Sequence, residues 1–286
     1  VQAAGKRRFL VFNADESEPG TFKDRVLMEN DPFAIIEAMT IASVAIGAEL
    51  GFLYVRAEYP LAHERLTSAI AQCRARGLLG EDILGRGHRF DIELRKGAGA
   101  YICGEETALF ASIEGFRGEP RTKPPFPTDR GLFGCPTVVN NVETLANVPF
   151  IVLHGGAKYR AVGTAGSPGT RLFCVAGAVA RPGLYELAGD TTLRSMLTQA
   201  GAGELSSVLL GGAAGTFIPA AELDLELSFE ATRKVGATLG SGVVLAFGPE
   251  TPIEPVLHKL AAFFRDESCG QCVPCRVGTV RQEELL

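Results

Sequence analysis

The residues best suited to chemistry lie at positions 97–107, where glycines are followed by the adjacent glutamates Glu105 and Glu106. An alternating pattern predicts a strand over 90–94, and the apolar spacing after the glutamates predicts a short helix ended by Gly115. Ligands of open α/β sheets bind where strands lead into helices, and glycines there let a flat ring or a phosphate approach the backbone. The same residues equally fit a glycine-rich connector whose carboxylates cap a helix. This stretch alone leaves both interpretations open.

A second polar loop follows the apolar strand predicted over 9–12. Within six residues it contains three carboxylates, an amide and a hydroxyl: Asn13, Asp15, Glu16, Ser17 and Glu18. These side chains could bind a polar ligand, although an acidic loop can also be a simple turn with capping residues. A third junction carries the paired amides Asn140 and Asn141, of which Asn141 could merely cap the next helix.

A proline-rich loop at 121–127 carries two cations and one aromatic ring. A stiff loop of this kind can hold the ring of Phe126 for stacking and Lys123 for a phosphate. A surface crossover with an ordinary buried phenylalanine is the alternative interpretation.

Three cysteines recur at intervals of three: Cys269, Cys272 and Cys275. This spacing can turn three thiolates toward one centre, and it favours an iron–sulfur cluster over zinc. Either metal site needs a fourth ligand, and His258 lies a full helix away. Three unligated thiols are the remaining alternative, although exposed thiols at this density would be reactive.

The elements that must position these residues alternate along the first half of the chain. Strands are predicted over 9–12, 52–55 and 90–94, and helices over 61–76 and from Asp31, an N-cap followed by Pro32. This alternation predicts an α/β layer with a largely parallel sheet. The apolar window 33–55 is expected to be a helix and a strand separated by Gly51 rather than a membrane span, because Glu37 and Glu49 interrupt it.

The second half of the chain has a different character. Around 163–169 the sequence becomes rich in Gly, Ser and Pro, which indicates a domain boundary. A hairpin, a short helix and strands at 208–211 and 243–247 are predicted beyond it. Residues 213–216 could contact something or be plain glycine turns. An amphipathic helix at 252–264 leads to the cysteines.

Composition narrows the class of protein. The chain of 286 residues has a net charge of −5, which argues against nucleic acid as the main partner. The other four of the seven cysteines are scattered singly, at Cys73, Cys103, Cys135 and Cys174. This pattern is typical of a reduced compartment rather than of a disulfide framework. No secretory signal precedes the first strand, and because the first residue is not Met the sequence is expected to be a fragment.

Five motifs together resemble one family, the NADH-binding flavoprotein subunit of respiratory complex I, shared with NAD-reducing hydrogenases and NAD-dependent formate dehydrogenases. They are NADESEPGTFKDR at 13–25, GAYICGEET at 99–107, KPPFP at 123–127, NNVET at 140–144 and ESCGQCVPCR at 267–276. The resemblance runs over essentially the whole chain.

This resemblance implies an α/β fold class with three parts. These are a Rossmann-like FMN- and NADH-binding domain with a parallel sheet at 1–164, a β-grasp (ubiquitin-like) α+β domain of the soluble-ligand-binding type at 165–250, and the start of a helical 4Fe–4S domain at 251–286. The family's glycine-rich loop for the flavin phosphate would precede Val1, and its fourth cluster cysteine would follow Leu286. The resemblance therefore also implies an internal fragment.

Roles follow from position in the motifs. The resemblance implies FMN contacts from Asn13, Asp15, Glu16, Ser17, Gly104 and Glu105, with Asn140, Asn141 and Thr144 along the ribityl phosphate. It implies NADH contacts from Phe126 under the adenine, from Lys123 nearby, and from the catalytic pair Glu18 and Glu106 at the nicotinamide end. Tyr101 is a further cofactor-binding residue that the resemblance implies. Glu106 at the ribose would bond both hydroxyls and repel the extra phosphate of NADPH. Cys269, Cys272 and Cys275 would be the metal ligands.

The implied function is an NADH dehydrogenase flavoprotein subunit of a complex I type NADH:quinone oxidoreductase, which takes hydride from NADH onto FMN and passes single electrons to a 4Fe–4S cluster. Implied partners are a small 2Fe–2S thioredoxin-like subunit and a larger iron–sulfur subunit, in the cytoplasm or at the cytoplasmic face of a membrane without direct insertion. The alternatives are a diaphorase subunit of a formate dehydrogenase or hydrogenase, a non-catalytic metal-binding scaffold, and a zinc-binding interaction protein.

Overall fold

The computed structural model describes residues 7–286, which form two compact units. The first unit comprises residues 7–17, Asp24–Pro149 and Arg265–Thr279, and the second comprises Glu18–Lys23, Phe150–Phe264 and Val280–Leu286. The residues before Arg7, on which the expectation of no secretory signal depends, lie outside the described part. The three domain boundaries implied by the resemblance stay a prediction.

A four-stranded sheet is the centre of the first unit. Its strands are β1 (Phe9–Ala14), β2 (Leu50–Arg56), β3 (Asp91–Gly97) and β4 (Thr137–Asn141). They are all parallel and lie in the order β3-β2-β1-β4. The chain moves from β1 to β3 on one side and returns to the other side of β1 for β4, so the sheet has a topological switch point between β1 and β4. The predicted parallel α/β layer is confirmed.

Helices lie on both faces of this sheet. The helices of this part of the chain are α1 (Lys23–Asn30), α2 (Pro32–Ile46), α3 (Pro60–Ala75), α4 (Glu106–Ile113), α5 (Pro127–Arg130) and α6 (Val142–His154). Leu10 and Phe12 of β1 pack in one buried cluster with α2 and α3, whereas Val11 packs in another with Leu109 and Phe110 of α4. Successive side chains of β1 therefore point alternately toward the two helix layers.

Two local expectations at α2 have different outcomes. Asp31 is the N-cap, and its carboxylate accepts the N–H of Ala34 at 3.0 Å, as predicted. The expected separation of helix and strand at Gly51 is wrong, because α2 ends at Gly47, which takes the left-handed conformation with a φ of 67°. Gly51 lies inside β2, where a methyl group would meet Met39 Cε at 2.8 Å. That glycine is there for packing rather than for a turn.

The second unit contains a mixed five-stranded sheet. Its elements are α7 (Gly156–Arg160), β5 (Thr170–Gly177), β6 (Gly183–Ala188), α8 (Leu193–Gln199), β7 (Ser207–Leu210), β8 (Thr216–Pro219), α9 (Phe229–Lys234) and β9 (Val243–Phe247), with strand order β6-β5-β9-β7-β8. The hairpin, the helix α8 that follows it and the strands β7 and β9 are as predicted. The short elements β8 and α9 were not predicted from the sequence.

The C-terminal part of the chain is helical. It consists of α10 (Glu254–Asp266) and α11 (Val273–Leu285). The predicted helix before the cysteines is confirmed as α10. Among residues 7–286 the search for a helix long and apolar enough to cross a membrane finds none.

Candidate functional site

The carboxyl edge of the first sheet brings three of the predicted polar segments together. Asn13, near the end of β1, is the register partner of Asn141 at the end of β4. The Asn13 Nδ2 donates to the carbonyl of Gly104 at 2.8 Å, and Gly104 ends a single 3₁₀ turn that precedes α4. The loops after β1, β3 and β4 therefore meet at the switch point, which is where a ligand of such a sheet binds.

Asp15 contributes a buried carboxylate at this edge. Its side chain is 9% exposed, and Oδ1 has no hydrogen-bond partner among the described residues. The hydroxyl of Ser17 donates to the other oxygen at 3.2 Å. Burial raises the pKa of the Asp15 carboxyl to about 6, against the opposite effects of the Ser17 hydrogen bond and the Arg56 charge. An orphaned buried oxygen at a ligand edge fits a group that donates a hydrogen bond.

The raised pKa of Asp15 predicts a pH-dependent stability of the cofactor-free chain. The folded carboxyl keeps its proton up to about pH 6, whereas the unfolded one releases it near 3.8. The folded state binds more protons in that window, so the free energy of unfolding falls as the pH rises through it. We expect Asp15→Asn to match the wild type at pH 4 and to exceed it by about 2–3 kcal/mol at pH 7.

Urea unfolding at several pH values measures this difference. Asp129→Asn, at an exposed carboxylate of α5, is the matched control and should follow the wild type at every pH. A difference between Asp15→Asn and the wild type that stays constant from pH 4 to pH 7 would contradict the assignment.

Gly104 has room for a β-carbon in ordinary contact with Asp15. The residue is exposed, and a methyl group built on it would meet only Asp15 O at 3.6 Å and Asp15 Oδ2 at 3.9 Å. These are ordinary van der Waals distances, so the fold itself does not require a glycine there. Gly99 differs, because its φ of 83° is left-handed and a methyl group would overlap the Glu58 carboxylate. The space at Gly104 fits a flat group lying against the backbone.

Glu16 is used by the fold itself. Its Oε1 accepts the N–H of Asp24 at 2.9 Å, and its Oε2 accepts the N–H of Arg25 at 3.0 Å and the hydroxyl of Tyr59 at 3.1 Å. The carboxylate therefore satisfies free backbone donors in the first turn of α1. Arg56 fixes the same residue by donating to its carbonyl at 2.6 Å. Neither α1 nor these contacts were anticipated from the sequence, and a direct FMN contact of Glu16 stays a prediction.

Glu105 is the N-cap of α4. Its Oε2 accepts the N–H groups of Thr107 and Ala108 at 2.8 and 2.9 Å and the Thr107 hydroxyl at 2.5 Å. Partial burial opposes ionisation of Glu105, but these bonds and the Lys123 ammonium hold its pKa below the usual value. The capping interpretation of the acidic pair is therefore confirmed for Glu105, and its FMN contact stays a prediction.

Lys123 joins the two glutamates. Its Nζ lies 3.0 Å from Glu105 Oε1 and 2.5 Å from Glu106 Oε1, and its side chain is 30% exposed. The hydrogen bonds to Glu106 and Glu105 raise the pKa of Lys123, so the ammonium stays charged. Phe126 lies three residues further on at the start of α5, with 55% of its surface exposed. The predicted alternative of a buried phenylalanine is therefore wrong, and the ring is free to stack with a ligand.

The amides at the end of β4 have distinct surroundings. Asn141 Oδ1 accepts the N–H of Glu143 at 3.0 Å, and Asn141 Nδ2 donates to Asp24 Oδ2 at 2.6 Å. Asn141 thus caps α6, as one interpretation expected, and also ties α6 to α1. Asn140 is the register partner of Phe12, and Thr144 is exposed in the first turn of α6.

Glu18 itself belongs to the second unit. Its Oε1 accepts the N–H of Ala214 at 3.3 Å. A methyl group on Gly212 would lie 2.5 Å from that oxygen, so the close approach requires glycine. The contact decides between the two interpretations of residues 213–216, which do meet another part of the chain. The role of Glu18 at the nicotinamide stays a prediction.

The three clustered cysteines are free thiols but do not converge. Cys269 is half-buried, whereas Cys272 and Cys275 are exposed. Among residues 7–286 no group of three His, Cys, Asp or Glu side chains could hold a metal ion, so the expected common point of three sulfurs is not found. The three cysteines do not share one loop either, because Cys275 lies in the first turn of α11. Thiol sites are rarely preformed without metal, and the donor type and spacing still fit a thiolate-bound cluster.

Comparison with known protein families assigns three regions of the chain. Residues 1–150 match the model of the Nuo51 FMN-binding domain, residues 172–206 match the SLBB domain, and residues 255–286 match the NADH-ubiquinone oxidoreductase-F iron-sulfur binding region. This order of domains defines one component of flavin- and iron–sulfur-containing oxidoreductases.

Individual relatives agree with this class. The chain is 47% identical to the NADH-quinone oxidoreductase F subunit of Aquifex aeolicus, over 100% of this chain and 67% of the relative. It is 46% identical to the F 2 subunit of the same enzyme in Rhizobium meliloti, over 97% and 67%, and 44% identical to the NADP-reducing hydrogenase subunit HndC of Solidesulfovibrio fructosivorans, over 98% and 58%. A crystal structure of an NAD+-reducing [NiFe]-hydrogenase superposes with a TM-score of 0.90 at 43% identity, covering 98% of this chain and 47% of that one.

The chain belongs to the family of NADH-quinone oxidoreductase F-type flavoprotein subunits. It spans about two thirds of the length of the two quinone oxidoreductase relatives and about half of the hydrogenase chain. The family and fold class expected from the motifs are confirmed, as are the FMN-binding and 4Fe–4S regions. The individual contacts at the site stay predictions, supported by the space at Gly104 and the orphaned oxygen of Asp15.

Proposed function

We propose that this chain is the NADH-oxidising part of a complex I type NADH:quinone oxidoreductase, in which FMN accepts hydride and a 4Fe–4S cluster takes single electrons. The observation that carries the proposal is the edge where β1, β4 and the turn before α4 meet. There, the buried Asp15, whose Oδ1 has no hydrogen-bond partner among residues 7–286, lies against the exposed Gly104, where a β-carbon would lie 3.9 Å from the other carboxylate oxygen. The relatives of 46% and 47% identity bear the quinone oxidoreductase name, which supports this parent complex.

The residues of the chain bind and orient rather than react. Asn13, Asp15 and Gly104 would form the wall for the flavin ring, and Asn140, Asn141 and Thr144 would line its phosphate side. Tyr101 and Ser17 adjoin the same edge. Phe126 would stack with the adenine of NADH, and Glu18 and Glu106 would lie toward the nicotinamide. Such a wall excludes water and holds the two reacting rings in contact, which is what hydride transfer between cofactors needs from a protein.

Assembly with other subunits is part of the proposal. A small 2Fe–2S thioredoxin-like subunit and a larger iron–sulfur subunit would accept electrons from the cysteine region, and the location would be cytoplasmic. The seven free cysteines support a reducing compartment. A diaphorase subunit of a hydrogenase is the second candidate, because HndC and the superposed hydrogenase match nearly all of this chain.

One experiment tests the core of the proposal. The full chain, reconstituted anaerobically with FMN, iron and sulfide, should reduce ferricyanide with NADH, and the flavin released by denaturation should be FMN. Failure to retain flavin, or retention without NADH oxidation, would leave only the non-catalytic scaffold. Zinc in place of iron would favour the zinc-binding interaction protein.

The choice of nicotinamide cofactor gives a separate prediction. We expect the wild type to prefer NADH, and Glu106→Gln to raise the ratio of kcat/KM for NADPH over NADH about tenfold. The substitution removes the charge that would repel the 2′-phosphate and frees Lys123 from its closer partner. The relative HndC is named NADP-reducing, so family membership alone does not decide this point.

Steady-state assays with both cofactors measure the ratio. Glu93→Gln, at a half-exposed carboxylate of β3, is the matched control and should leave it unchanged. Equal kcat/KM for the two cofactors in the wild type would overturn the role of Glu106.

A further inference from the structure

Two hydrogen bonds connect the segment just before the clustered cysteines to the glycine-rich segment of the first unit. Glu267 Oε2 accepts the backbone N–H of Tyr101 at 3.0 Å. Arg117 Nη2 donates to the carbonyl of Cys269 at 2.6 Å. The partners are 166 and 152 residues apart in sequence, so chain connectivity does not impose either contact. Both lie within the first compact unit.

The first of these bonds holds one end of a short turn whose other end, Gly104, is proposed to contact the flavin ring. The 3₁₀ turn Tyr101–Gly104 begins with the N–H given to Glu267 and ends with the carbonyl that accepts from Asn13 at 2.8 Å. A turn of four residues has few internal hydrogen bonds, so its position depends on such outside partners. Glu267 and Asn13 therefore fix the turn jointly.

The second bond belongs to a set that fixes the backbone around Cys269. Gly270 takes a left-handed φ of 74°, its N–H donates to Ser268 Oγ at 3.3 Å, and its carbonyl accepts Arg276 Nη1 at 2.9 Å. With Arg117 on the carbonyl of Cys269, the first cysteine has a defined backbone position even though the three thiols do not converge.

We propose that Glu267, two residues before Cys269, is a positioning residue. By holding the Tyr101–Gly104 turn, it sets the distance between the residues proposed to bind the flavin and the cysteine region. The inference rests on the proposed function, because it assumes FMN at Gly104 and a cluster at Cys269, Cys272 and Cys275. Electron transfer needs the two cofactors at a fixed close separation, and a single side chain that spans both segments provides that.

The charge of Glu267 acts unfavourably on the nearby buried carboxyl of Asp15. Burial raises the pKa of Asp15, and the charges of Glu58 and Glu267 add to this effect, whereas the Arg56 charge and the Ser17 hydrogen bond act against it. A second carboxylate near a buried one is electrostatically unfavourable. The proposed role of Glu267 therefore rests on its hydrogen bond to the Tyr101 N–H and not on its charge.

Two conservative variants separate reach from charge. Glu267→Gln keeps the length and an acceptor oxygen, and Glu267→Asp keeps the charge but is one methylene shorter. Asp266→Ala is the matched control for Glu267→Ala, because its carboxylate pairs with Arg265 at the surface. Hydrogen exchange at the Tyr101 amide of the cofactor-free chain is the first readout. In the holoprotein, the NADH-driven rates of flavin bleaching and of the reduced-cluster EPR signal are the second.

We expect Glu267→Ala and Glu267→Asp to speed exchange at Tyr101 by about tenfold or more, and Glu267→Gln and Asp266→Ala to stay within about threefold of the wild type. In the holoprotein, Glu267→Ala should slow cluster reduction by about tenfold or more while flavin bleaching and the KM for NADH stay near wild type. Wild-type behaviour of Glu267→Asp would show that charge, not reach, is what counts, and would overturn the proposal. Equal effects of Asp266→Ala would do the same.

The two readouts also separate this inference from the proposed function. A wild type that binds neither FMN nor a cluster would refute the function, yet exchange at Tyr101 would still report whether Glu267 holds the turn. A slowed flavin bleaching in Glu267→Ala with unchanged cluster reduction would contradict the positioning role while leaving NADH oxidation by FMN intact.

Discussion

Replacement of Gly104 by valine is expected to weaken FMN binding by about 100-fold or more while the cofactor-free chain unfolds at the wild-type temperature. The nearest atoms to an added methyl group are 3.6 Å or more away, so a β-carbon fits the fold, and the unfolding temperature reports whether the two γ-methyl groups fit as well. The isopropyl group would instead fill the space proposed for the flavin ring. Gly104→Ala adds less volume and should have a smaller effect in the same direction.

Fluorescence titration of the cofactor-free chain with FMN gives the affinity, and circular dichroism on heating gives the unfolding temperature. Gly203→Val is the matched control, because Gly203 is exposed in the second unit and has no atom within 4 Å of an added methyl group. Unchanged FMN affinity in Gly104→Val would place the flavin elsewhere. A large fall in the unfolding temperature would show that the loss comes from the fold.

The layout of this edge could be predicted because its signals are local. The alternation of β1 and the caps at Asp31 and Asn141 depend on neighbours within a few residues. Once the sheet is parallel, the loops after β1, β3 and β4 have to share one edge, so Asn13, Gly104 and Asn141 are brought together by topology alone.

The partners of individual side chains could not be predicted, because they come from distant positions. Glu16 caps α1, and its other partners come from distant parts of the chain. Arg56 lies at the end of β2, and Tyr59 is the residue before α3. Glu267 was not singled out within its motif from the sequence alone. Its role is indicated only by its hydrogen bond to the Tyr101 N–H in the structure. The sequence feature that could have indicated Glu267 is its position as a carboxylate just before a cysteine motif of metal-binding type.

Lys123 shows how the acidic pair is balanced. The sequence pattern suggested a phosphate ligand in the proline-rich loop, whereas the Lys123 ammonium lies between Glu105 and Glu106. The three charges sum to −1, so the pair attracts a ribose through hydrogen bonds without attracting an extra phosphate. All three side chains are about one third exposed, so salt screens the interaction and its contribution to stability is small.

Replacement of Cys272 by serine is expected to abolish the 4Fe–4S cluster of the holoprotein, so that its iron and acid-labile sulfide fall to about none per chain. Cys272 is exposed, so the isosteric serine should leave the fold unchanged. A serine hydroxyl is a far weaker ligand for iron than a thiolate, and the thiols do not form a cage that could hold the cluster without one of them. The FMN content should stay at the wild-type value.

Iron and acid-labile sulfide per chain, together with EPR after reduction, measure this loss in anaerobically purified protein. Cys135→Ser, at a half-buried thiol beside β4 and outside the cysteine motif, is the matched control and should keep the cluster. A full cluster in Cys272→Ser would mean that a scattered cysteine is a ligand in its place. Stoichiometric zinc in the wild type would remove the electron-transfer role altogether, since zinc has no redox chemistry with which to take an electron.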